Sequence, residues 1–123
     1  MIKYELANEE QERVKSIIEK LELDYIDTNR VRVVYSYGAK TKAIARIWGT
    51  PKVLSVAFGI KPLYVIELVW EKYSRLSDED KLKVLIHEIL HIPKSFSGGL
   101  RPHGKEVNQR EVKRLLKKLR ENI

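Results

Sequence analysis

The run His87-Glu88-Ile89-Leu90-His91 constrains this chain more than any other stretch, because it needs a helix and a cleft at once. Residues four apart on a helix lie on one face, one turn above each other, so two imidazoles can grip a single metal ion. Glu88 sits between them, where a carboxylate can reach a water held by that ion. The chain carries three histidines in all, and His103 completes a three-ligand set. Three protein ligands with one open position form the pattern of a catalytic zinc site, whereas structural sites are closed. Chance occurrence of such a spacing in so short a chain is well under about one in a hundred at average residue usage.

The helix wheel adds direction. At about 100° per residue, Leu82, Leu85, Ile86, Ile89 and Leu90 make one apolar stripe, and His87 and His91 point nearly opposite, with Asp80 and Val84. The histidines therefore face solvent or a cleft rather than the core. Phe96 and Leu100 are the apolar residues expected to wall that cleft. Ser77 caps the helix, acids fill its first turn, and Pro93 stops it. Gly98-Gly99 allows the chain to turn back toward the metal. His103 is expected at the mouth of a last helix, whose stripe is Val107, Val112, Leu115, Leu116 and Leu119.

The run from His87 to Gly104, H-E-I-L-H-I-P-K-S-F-S-G-G-L-R-P-H-G, resembles the signature of a family of small metallopeptidases from archaea and phages. That family is similar in plan to the SprT-like and WLM zinc proteases, which pair an H-E-x-x-H helix with a later His-Gly opening another helix. The resemblance is dense from about Leu63 to Asn108. It implies a zincin-like fold, with His87, His91 and His103 as Zn2+ ligands and Glu88 as the general base. Glu106 or Glu111 remains an alternative third ligand, as in small gluzincin-like proteases. The implied substrate is a protein or peptide, and the SprT-like and WLM proteases act on proteins bound to DNA.

Upstream, Asn8-Glu9-Glu10-Gln11 reads as a capping box for a helix over about 8–21. Alternation predicts strands over 30–37 and 43–48, joined as a hairpin through Gly38–Thr41. Residues 50–59 carry both strand propensity and helix punctuation (Thr50 as cap, Pro51 first, Gly59 after the end), and the helix is preferred. Leu63–Val69 reads as a strand. It is either the edge strand that zincins pair with extended substrate, which makes Tyr64 and Ile66 candidate substrate contacts, or an ordinary central strand. Arg101 is a candidate for holding a substrate carbonyl or the developing oxyanion.

The 123 residues predict a single α+β domain over 1–123, zincin-like, with an N-terminal helix, a three- to four-stranded sheet, the motif helix and a C-terminal helix. Cysteine is absent, which excludes disulfides, zinc ribbons and thiol nucleophiles. No leader and no run of about 20 apolar residues is present, so a cytoplasmic, non-membrane protein is expected. Abundant Lys and Glu with scarce Met and Gln resemble proteins of hot environments. Net charge is +7, with Lys113, Arg114, Lys117 and Lys118 concentrated on the last helix. Those residues either neutralise nucleic-acid phosphates or form the solvated face of an amphipathic helix.

Overall fold

The computed structural model describes residues 1–121. In chain order the elements are β1 (Lys3–Leu6), α1 (Asn8–Lys20), a 3-10 turn (Thr28–Arg30), β2 (Val31–Tyr37), β3 (Ala45–Gly49), α2 (Lys52–Phe58), β4 (Tyr64–Val69), α3 (Trp70–Tyr73), α4 (Asp78–Leu90) and α5 (Gln109–Glu121). The architecture is α+β, around a four-stranded sheet of order β1-β2-β4-β3.

β4 runs parallel to β2 and antiparallel to β3. The expected hairpin between the second and third strands is therefore not formed. The connection Gly38–Ile44 is longer than the roughly 2–5 residues of a hairpin loop, and β4, with its near-continuous apolar run, takes the slot between them. Strands buried on both faces read that way. The same placement removes Leu63–Val69 from the edge. Tyr64 is 1% and Ile66 0% exposed, and β4 is an interior strand, with β1 and β3 at the two edges of the sheet.

One face of the sheet packs on the helices. Val31, Val33, Ile47, Tyr64, Ile66 and Leu68 join Leu85, Ile86 and Ile89 of α4, Leu115 and Leu116 of α5, and Val14, Ile17 and Ile18 of α1 in one core. Each of these aliphatic side chains contributes on the order of 1.5–3 kcal/mol by burial. The N-terminal helix begins at Asn8 as read, but through a different device. Ala7 occupies the cap position with no side-chain bond, and Gln11 instead accepts a hydrogen bond from the Val33 amide at 3.3 Å. The amide that the capping box would have used ties α1 to β2.

In α2 the punctuation is shifted by one residue: Pro51 is the N-cap and Gly59 closes the helix at φ +61°. The Thr50 hydroxyl accepts from Leu63 N at 2.8 Å, closing the base of the α2 excursion. Two glycines then let separate segments touch. A Cβ on Gly49 would lie 2.0 Å from the Gly98 carbonyl oxygen, and one on Gly98, at φ +95°, 2.3 Å from that of Thr50. The loop that follows the motif helix is thus pressed against the end of β3. No helix among the described residues is long and apolar enough to cross a membrane.

Candidate metal centre

Ser77 Oγ accepts from Asp80 N at 3.2 Å and starts α4, and the helix ends with His91 as its C-cap. The wheel holds: Leu85, Ile86, Ile89 and Leu90 are buried, and Asp80, Val84, His87 and His91 line one cleft. Glu88 lines the same cleft, 7% exposed.

Beyond the helix the chain is clamped to His91 by two bonds. Arg101 N donates to the His91 carbonyl at 2.7 Å, and the Arg101 carbonyl lies 2.5 Å from His91 Nδ1. A carbonyl there requires Nδ1 to carry the proton, which leaves Nε2 with its lone pair free for a metal. The chain is then held for its return. Val107 is buried completely, and Asn108 Nδ2 donates to the Gly104 carbonyl at 2.6 Å. Asn108 Oδ1 accepts from Glu111 N at 2.9 Å and so caps α5. His103 therefore sits in a fixed turn several residues before α5, not at its mouth.

The three imidazoles converge. Their ligand atoms lie within 4.8 Å of one another, and ring centroids are 5.1, 5.0 and 4.8 Å apart. His87 Nε2 and His103 Nε2 are 2.9 Å apart, close to the roughly 3.3 Å between nitrogens on a tetrahedral zinc with bonds of about 2.0–2.1 Å. Burial, then the neighbouring His91 and His103, push the His87 pKa down, which favours the neutral form a metal needs. The donor set fits a divalent, zinc-like ion, with the cleft side left open.

Burial alone pushes the Glu88 carboxyl up to about 7; a cation beside it would lower it again. Its carboxylate has no hydrogen-bond partner among the described residues, so it is uncommitted. The cleft has a volume of about 860 Å³, and its opposite wall is the Lys42–Ile47 segment leading into and along β3, with Leu76 and Val112. Leu100 lines it as read from the sequence, but Phe96 packs on Tyr64 with centroids 5.0 Å apart.

Several candidates stand elsewhere. Arg101 Nε donates to the Leu90 carbonyl at 3.0 Å and its guanidinium pairs with Glu106. The side chain satisfies the end of α4 and does not line the cleft. Glu106 is thereby engaged, and Glu111 binds Arg114 at 2.8 Å, so neither joins the histidines. Tyr64 Oη accepts from Gly98 N at 2.8 Å and donates to the Gly99 carbonyl at 2.9 Å. It is a buried post under the loop, and Ile66 is core. Lys113, Arg114, Lys117 and Lys118 are exposed on α5 and none of them lines the cleft. The edge strand β3 was missed as a wall of the site. Its signal was the continuous apolar run of the next strand, which claims the interior position.

A family model described as "Putative phage metallopeptidase" matches residues 2–120. No curated protein and no solved structure matches the chain.

Proposed function

We propose that this chain, which belongs to the "Putative phage metallopeptidase" family, is a zinc-dependent peptidase that cleaves extended polypeptide laid along the free edge of β3. The observation that carries this reading is the convergence of three imidazoles on a cleft whose facing wall is a strand edge that no described residue pairs with. His87, His91 and His103 hold the ion. When bound, zinc supplies a Lewis acid that polarises the scissile carbonyl and draws the pKa of a water toward about 7.

The chain's own groups do the rest. Val69 N bonds the Ile44 carbonyl and Thr50 N the Leu63 carbonyl. By the alternation of antiparallel ladders, Ile44, Arg46 and Trp48 face β4, and the amides and carbonyls of Ala45 and Ile47 face outward. Those outward groups bind substrate backbone without regard to side chains. Glu88 takes a proton from the attacking water and passes it to the leaving nitrogen.

The test is direct: zinc-loaded protein incubated with mixed peptides should cleave them, chelation should stop cleavage, and added zinc should restore it. Absence of cleavage with about one zinc per chain bound would remove the peptidase reading.

A further inference from the structure

The second face of the edge strand carries a feature that catalysis does not use. Arg46 and Trp48 of β3, and Ile44 just before it, project to the sheet face opposite Ala45 and Ile47, away from the helices. Ile44 is 37% and Trp48 53% exposed. Between them lies Arg46, held by a residue that is itself completely buried. Glu67 of β4 is 0% exposed, and a single oxygen, Oε1, accepts from Arg46 Nε at 2.8 Å and from Trp48 Nε1 at 2.9 Å. The Arg46 guanidinium carbon lies 5.4 Å from the Trp48 ring centre.

One buried carboxylate thus fixes the orientation of the half-buried Arg46 and the exposed Trp48. Only Nε of the guanidinium is engaged, which leaves its Nη donors without a partner among the described residues. Lys42 nearby is exposed, and it lines the cleft with Arg46.

We infer that Ile44, Arg46 and Trp48 select substrate sequence: a strand added to β3 is favoured when it carries apolar–x–acidic–x–apolar, with the acid opposite Arg46. This rests on the reading of β3 as the substrate-binding edge. Residues directly opposite in paired strands project to the same face, and their Cβ atoms lie about 4.5–5.5 Å apart. The 44, 46 and 48 positions turn their own backbone groups toward β4, so opposite an added antiparallel strand they form the non-hydrogen-bonded pairs, where side chains come closest. An acid there meets the free Nη donors in fork geometry. Aromatic or branched residues two positions to either side meet Trp48 and Ile44. The pattern reads the same in both directions, so it holds whether substrate adds parallel or antiparallel.

The test uses dye-labelled peptides of that pattern with Glu, Gln or Lys at the centre. Binding is read by fluorescence anisotropy on metal-free wild-type protein, and cleavage separately on zinc-loaded protein. Affinity should fall in the order Glu, Gln, Lys, by about two- to fivefold from Glu to Gln, as for other cross-strand charge pairs, and less in high salt. In R46Q/E67Q, an amide pair of similar shape, the order should flatten. Equal binding of the three peptides by wild type, an order retained in R46Q/E67Q, or no binding at all would each overturn the inference. Cleavage without preference overturns it alone and leaves the peptidase reading intact. Preferential binding without cleavage supports it and removes the peptidase reading.

Discussion

At the scale of residues, the site divides by what kind of information specifies it. His87 and His91 were legible because helical periodicity is local: four residues apart on a helix means one face, and both line the cleft. His103 was legible only as a residue type with one plausible job. The clamp that brings it back, His91 to Arg101, depends on which carbonyls the end of α4 leaves unsatisfied. Spacing does not carry that. The same fact explains Arg101, expected at the substrate and instead bonded to the Leu90 carbonyl, an orphan acceptor of the last helical turn. Because Glu106 and Glu111 are tied to Arg101 and Arg114, His103→Ala should weaken zinc binding by at least the roughly 10–100-fold that even outer-shell changes cost. Glu106→Ala and Glu111→Ala should leave it nearly intact, as read by competition with a chromogenic chelator. Loss of zinc in a glutamate variant but not in His103→Ala would reassign the third ligand.

At the scale of elements, α4 and α5 were readable from stripes and caps, and β4 from its composition, but strand order was not. Pairing is a long-range property, and a sequence shows a strand's burial more clearly than its neighbours. The residues of β4 left edge and centre open; the structure makes it interior, with Leu68 and Val69 buried on opposite faces and β2 and β3 paired on its two sides. β1 was missed altogether, although Tyr4 and Leu6 alternate with Lys3 and Glu5, because all four residues are exposed and no core face marks the strand.

The buried Glu67 is the exception inside β4 and gives the sheet a pH dependence. Burial pushes its carboxyl up, but Arg46, the Ser36 hydroxyl beside it and Trp48 outweigh burial and hold it below the usual range. A folded-state pKa below the unfolded one stabilises fully above the unfolded value, near 4.3 for Glu. That stability is lost as pH falls through the folded value. The wild-type melting temperature should therefore drop more steeply below about pH 4.3 than that of Glu67→Gln, measured by circular dichroism. Parallel curves would mean that the cross-strand bonds do not favour the ionised form.

At the scale of the whole molecule, α+β architecture and metallopeptidase family membership agree with the His87-Glu88-Ile89-Leu90-His91 motif. The net charge of +7 says less, because the basic residues of α5 lie outside the metal cleft. The central claim is that the fold presents an uncommitted carboxylate beside a three-histidine metal site. Glu88→Gln keeps the side chain's shape and removes the base. Zinc content and melting temperature should match wild type, while peptide cleavage falls by the roughly 10²–10⁴-fold that general-base catalysis supplies. Loss of zinc from Glu88→Gln would make the carboxylate a ligand, and full activity with zinc retained would contradict its role as the base.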